Sequence, residues 1–103
     1  MTHSRFALDS DPRQRPPVLV VTGEIDLANV GEFEKAMVQA GAGAPAVTID
    51  LTGVDYCDSA AVRALFSMAA STELTLVVGS AGHITTLLGI SGLDRVATVV
   101  VRD

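Results

Sequence analysis

The chain of 103 residues has no tryptophan, one tyrosine and three phenylalanines. Its core therefore has to be assembled from Val, Leu, Ile and Ala. A lone cysteine, Cys57, excludes an internal disulfide and any cysteine-based zinc set, and it fits a reducing compartment. Basic residues are few: Lys35 is the only lysine, no Lys/Arg cluster occurs, and the formal net charge is −5. Phosphate neutralisation is out of reach, so nucleic acid is not an expected partner. No apolar run approaches the roughly 20 residues of a membrane-spanning helix. No charged-then-apolar leader opens the chain. The expectation is a soluble, cytoplasmic domain without membrane insertion. A glycine-rich phosphate loop is also missing, since Gly41-Ala42-Gly43 precedes a strand and nucleotide loops follow one. His3 lies in the weakly patterned start and His83 stands alone at a helix opening, so no Ser/His/Asp set forms. Catalysis, metal and cofactor are not expected.

Hydrophobic content of 49% and charged content of 18% exclude disorder. The length suits one domain over residues 1–103 with a single modest core. Residues 1–17 read as a weakly patterned strand at Phe6-Ala7-Leu8, then a Pro-rich loop from Asp9 to Pro17 that holds Arg13 and Arg15. Val18 to Thr22 reads as a buried strand closed by Gly23. Leu27, Val30, Phe33, Met37 and Ala40 follow at helical spacing, with Asp26 placed as the cap and Gly41 and Pro45 at the end. Ala46 to Leu51 is the central strand, breaking at Thr52-Gly53. A second helix starts at Ser59 with Val62, Leu65, Phe66 and Ala69 on one side and Arg63 and Ser67 on the other. Leu74 to Val78 is a strand, Ile84, Leu87 and Leu88 mark a short helix broken near Gly89 and Gly92, and Ala97 to Val101 is the last strand.

Alternating strands and helices with short links define an α/β fold. The expected sheet is mixed and mostly parallel, with four to five strands apolar throughout, flanked by helices. Loops after the strand ends gather at one edge of such a sheet, where ligands and partners meet it. Those loops are Gly23 to Asp26, Thr52 to Ser59 and Gly79 to His83.

Several side chains there bear on function. Asp50, Asp55 and Asp58 suggest a Mg²⁺-dependent phosphoacceptor site. A receiver domain of that kind needs an acid pair after the first strand and a lysine after a later one; Lys35 is inside the first helix, and the reading fails on its cation. Cys57 fits a buried small hydrophobe. Asp50 ends its strand and is open to a structural or a functional role. Ser59, beside Asp58 at a helix start, is either a cap or a hydroxyl presented on the positive helix end. A phosphate on it would lie against helix N–H groups and add roughly two negative charges to an acidic edge. The fold would survive that change, and a docked partner would be repelled.

Gly23-Glu24-Ile25-Asp26 resembles the G-E-L-D turn of STAS domains, the family of bacterial anti-sigma factor antagonists. Ile49-Asp50-Leu51-Thr52-Gly53-Val54 resembles the family's D-L-S-G-V strand end. Asp58-Ser59 falls at its D-S-S-G or D-S-A-G, and Ile90-Ser91-Gly92-Leu93-Asp94 resembles its late T-G-L-D segment. The likeness covers residue 18 to the end in order and spacing. It implies a five-stranded mixed sheet and no catalysis. In the antagonist branch, an anti-sigma factor with serine-kinase activity phosphorylates the serine matching Ser59, the unphosphorylated form binds that kinase to release the sigma factor, and a phosphatase acting on phosphorylated Ser59 resets the switch. The docking surface so implied is Glu24, Asp26, Asp58, Ser59, Ala60 and Arg63. The family's glycine two after the serine is Ala61 here, which suits ordinary helix. The link from Ser71 to Leu74 is also shorter than usual. Other members serve as subunits of lipid-transporting ABC complexes or as sensor-complex scaffolds, without phosphorylation.

Overall fold

The computed structural model describes residues 5–8, 16–80 and 83–102. Its elements are β1 (Arg5–Leu8), β2 (Val18–Ile25), α1 (Val30–Ala40), β3 (Ala46–Cys57), α2 (Ser59–Ala69), β4 (Glu73–Gly79), α3 (Ile84–Ser91), a 3₁₀ turn at Leu93–Arg95, and β5 (Thr98–Arg102). The strands form one sheet in the order β1-β2-β3-β4-β5. β1 pairs antiparallel with β2, and the other three pairings are parallel. The α/β class and the mostly parallel sheet are those expected. The expected loop from Asp9 to Pro17, with Arg13 and Arg15, lies almost wholly outside the described residues, as does His3.

Each parallel step moves one strand further in the same direction. Right-handed crossovers then set every connecting helix on one face. Rows of paired residues such as Leu19–Ile49–Leu76–Val99 point to that face. They pack with Phe33 and Met37 of α1, Leu65 and Met68 of α2, Leu88 of α3 and Leu93 of the 3₁₀ turn. Phe6 joins from β1, its ring centroid 5.7 Å from that of Phe33. The other face carries the row Ala7–Val20–Asp50–Val77–Val100 and the row Val18–Thr48–Thr75–Thr98, with no helix over it among the described residues. The strands are therefore not apolar throughout. Thr48, Asp50, Thr75 and Thr98 are the polar side of a one-sided sheet.

Two strands outrun their expected ends. Gly23, with φ 91°, stays inside β2, and Thr52-Gly53 stays inside β3. The β2–β3 register shifts between Val20 and Thr22 and again between Gly23 and Glu24. At the first shift Gly53 lies so close to the Thr22 side chain that a Cβ on Gly53 would meet Thr22 Cγ2 at 2.8 Å. The glycine thus lets β3 continue through an irregularity instead of ending it. β3 pairs with β4 only as far as Asp50–Val77, so its last turn-ward residues run beside β2 alone. α1 starts at Val30, later than Leu27, and α3 runs through Gly89 to a left-handed Gly92 at φ 81°. Ala61 is buried within α2, and no non-glycine residue has positive φ among the described residues, so alanine is at ease there.

Candidate functional site at the C-terminal edge of the sheet

Parallel pairing brings the ends of β2, β3 and β4 to one edge. Glu24 and Ile25 stand opposite Tyr56 and Cys57. Across the gap, the Tyr56 and His83 ring centroids are 6.1 Å apart. The three segments expected at this edge therefore meet, although Thr52 to Cys57 arrives as strand and not as loop.

Asp58 binds the edge together. It is the N-cap of α2 in extended conformation, and its Oδ1 accepts from the N–H groups of Ala60 at 2.9 Å and Ala61 at 3.3 Å. Its Oδ2 accepts from the Leu27 N–H at 3.2 Å, and its own N–H donates to the Ile25 carbonyl at 3.2 Å. One carboxylate thus starts a helix and ties down the turn after β2.

Ser59 is the first residue of α2 and is exposed, and its hydroxyl accepts none of the capping bonds. Of the two roles open to it, capping belongs to Asp58. The N–H groups expected to receive a phosphate are already bonded to that carboxylate. A phosphate on Ser59 would share the helix dipole with Asp58 and repel it. Ala60 is half-buried behind Ser59, and Arg63 is exposed one turn further along α2, on the same helix face as Ser59.

Asp26 caps the turn that leads into α1, and its carbonyl accepts from the Val30 N–H at 2.8 Å. Its Oδ1 accepts from the N–H groups of Ala28 at 3.0 Å and Asn29 at 3.2 Å, while its own N–H donates to Asn29 Oδ1 at 2.9 Å. Asn29, the residue at the N-cap of α1, makes no side-chain cap bond there; its Nδ2 donates to the Glu24 carbonyl at 2.8 Å. The Glu24 side chain is half-buried at the end of β2.

This turn moves Leu27 off the apolar stripe of α1. Leu27 is 77% exposed, and Tyr56 is 47% exposed. Both flank the start of α2, and sequence reading missed both as surface features. The Asp-Leu-Ala-Asn turn signal was available for Leu27. For Tyr56 there was none: past Gly53 the buried positions of β3 are Val54 and Cys57, and alternate spacing no longer predicts which side faces out.

The acids do not form a metal site. Asp50 lies inside β3, its Oδ1 accepting from the Thr52 N–H at 3.0 Å and the Thr52 hydroxyl at 2.7 Å. Asp55 is exposed, and Asp58 is engaged as described. Among the described residues no group of three or more His, Cys, Asp or Glu side chains is placed to hold a metal ion. Cys57 is buried, and burial, reinforced by Asp58, pushes its thiol up to about 11. No helix among the described residues is long and apolar enough to cross a membrane.

This fold is shared with several solved structures. An anti-sigma factor antagonist from Mycobacterium paratuberculosis superposes with a TM-score of 0.82 at 22% identity, covering 95% of this chain and 86% of that one. The anti-sigma factor antagonist SpoIIAA, in its unphosphorylated form, gives 0.60 at 14% identity over 96% and 88%. The Bacillus cell fate determinant SpoIIAA, in its phosphorylated form, gives 0.60 at 16% identity over 92% and 90%. Residues 9–102 match a family model described as Mlab, STAS domain, and the chain belongs to the STAS domain family. Comparison with curated proteins returns no match.

Proposed function

We propose that this protein is an anti-sigma factor antagonist that docks on an anti-sigma factor through the edge around the start of α2, and that phosphorylation of Ser59 turns docking off. The observation that carries the reading is the division of labour between two neighbours. Asp58 takes the capping bonds, which leaves the Ser59 hydroxyl exposed on a preformed helix end. A kinase can then use that hydroxyl without dismantling a cap. The docking surface joins Glu24, Asp26, Asp58, Ser59, Ala60 and Arg63 with two anchors, Leu27 and Tyr56. Apolar anchors inside a polar rim are what a protein interface needs. A phosphate at its centre adds roughly two charges beside Asp58 and must be desolvated on docking. The partner is an anti-sigma factor with serine-kinase activity, and a phosphatase acting on phosphorylated Ser59 restores the binding form. That solved neighbours with this fold include phosphorylated and unphosphorylated states supports the reading.

The test is calorimetric titration with the anti-sigma kinase of the same cells. Wild type and Ser59→Ala are expected to bind alike, and Ser59→Asp at least about tenfold more weakly. Equal binding of Ser59→Asp would falsify the switch. The family description, which names Mlab and not a sigma-factor regulator, favours one second reading. In it the chain is an unmodified STAS subunit of a lipid-transporting ABC complex or a sensor-complex scaffold. Affinity isolation from native cells separates the two: an ABC ATPase recovered without any anti-sigma kinase supports the second.

A further inference from the structure

β5 is the last strand of the sheet. Its inner side pairs with β4 from Thr75–Thr98 to Gly79–Arg102, and among the described residues no strand pairs with its outer side. Such an edge presents a row of unpaired N–H and C=O groups, which proteins commonly blunt with charge, proline or a bulge. β5 has none of these before Arg102. Its pairing with β4 runs without a register shift, and Val100 and Val101 are 38% and 52% exposed.

The direction of the free groups selects what can cover them. The Ser80 N–H donates to the Arg102 carbonyl at 3.0 Å, so Arg102 turns its backbone groups toward β4. By the two-residue alternation of a strand, Val100 and Thr98 do the same. Val99 and Val101 therefore aim their N–H and C=O outward.

We propose that β5 pairs with β5 of a second copy, antiparallel, about a two-fold axis through Val100. In that register Val99 stands opposite the partner's Val101, and Val101 opposite the partner's Val99. All are outward-facing, so each such pair exchanges both of its N–H···O=C bonds and leaves no outward group of Val99–Val101 unpaired. Val100 meets its own copy at the axis as a non-hydrogen-bonded pair, where side chains approach most closely, and Thr98 lies opposite the partner's Arg102. Other registers lose this match. An axis at Val99 sets Val101 against the partner's Ala97, a residue whose N–H already donates to Leu93 at 3.1 Å. An axis at Val101 sets Val100 against the partner's Arg102. An axis between residues opposes an outward-facing residue to an inward-facing one.

The side chains agree with the backbone. On the helix-covered face, the row Leu19–Ile49–Leu76–Val99 continues into the partner's Val101, and β-branched pairs across an antiparallel junction are favourable. The contact is isologous and closes at two copies. A junction five residues long falls short of the roughly 1,000 Å² of a stable interface, so the dimer dissociates on dilution. It lies two strands away from β3 and is independent of the docking edge.

Sedimentation equilibrium of the full chain from about 10 µM to about 1 mM tests this. The average mass of wild type is expected to climb toward twice the monomer. Val100→Lys sets like charges face to face at the axis, and Val101→Pro removes an outward N–H without touching the β4 ladder. Both are expected to stay monomeric. In a Cys57→Ala background, Val100→Cys is expected to form an intermolecular disulfide under mild oxidation, since its Cβ atoms lie opposite each other. Wild type that stays monomeric at the highest concentration, a dimer indifferent to both substitutions, or masses rising past two copies would each overturn the proposal.

Discussion

At position 58 a carboxylate accepts three backbone N–H bonds, while the hydroxyl at 59 accepts none of them. Asp58→Ala is therefore expected to cost about 1–2 kcal/mol, the worth of a cap and a loop tether together. Ser59→Ala is expected to stay within about 0.5 kcal/mol of wild type. Urea denaturation of the two variants measures the difference, and equal losses would return the capping role to Ser59. Position 57 adds a pH signature. Its thiol is raised from 9.0 to about 11, first by burial and then by Asp58. The folded state thus holds its proton where the unfolded chain gives it up. The contribution is fully present below pH 9 and is lost as pH rises toward about 11, with an upper size of about 2–3 kcal/mol. Cys57→Ala removes this part of the alkaline loss, seen by comparing unfolding of both proteins between those pH values. The same protonated, buried thiol should react with a thiol reagent near pH 8 only as fast as the protein opens.

Among the elements, β3 shows what the sequence could and could not disclose. Its first half, Ala46 to Leu51, was legible as a strand from its β-branched apolar residues, although the alternation that sets Thr48 and Asp50 on the open face was not. Its second half reads locally as a loop, because Thr-Gly followed by acids is ordinary turn chemistry. The continuation depends on a tertiary fact, the close passage of Gly53 over Thr22, which no local pattern carries. Gly53→Ala should destabilise by about 1–3 kcal/mol, because threonine is stiff at χ1 and cannot swing its methyl aside. Thr22→Ser removes that methyl and should recover most of the loss in the double variant, a coupling that a double-mutant cycle in urea reads directly. Independent, additive losses would show that the contact is not the cause. The start of α1 differs for a related reason: Asp26 is an equally good acceptor for a turn and for a helix, and here it holds a turn over Leu27–Asn29 before the regular helix begins at Val30. The start of α2 and the alanine at 61 were legible because cap chemistry and helix propensity agree there, but its buried side is Ala61, Val62, Ala64, Leu65 and Met68, turned from the expected stripe so that Phe66 and Ala69 are only half-buried.

For the whole molecule, the one-sided sheet puts the helix layer on one face and leaves strand ends, open face and β5 edge for contacts. The strand-end edge carries Glu24, Asp26, Asp55 and Asp58 around Ser59, with Leu27 and Tyr56 as exposed apolar groups. Leu27→Ala and Tyr56→Ala are each expected to weaken partner binding by about tenfold or more, with little change in thermal unfolding because neither side chain is in the core. Unchanged affinity in both would move the interface elsewhere. In the proposed switch, Ser59 is a hydroxyl kept free to be modified. The most direct test is the mass of the Ser59-containing peptide, taken from the protein isolated from its own cells in growth and under stress. A phosphate on Ser59 whose occupancy changes with condition is expected; an unmodified Ser59 in every condition would contradict the switch.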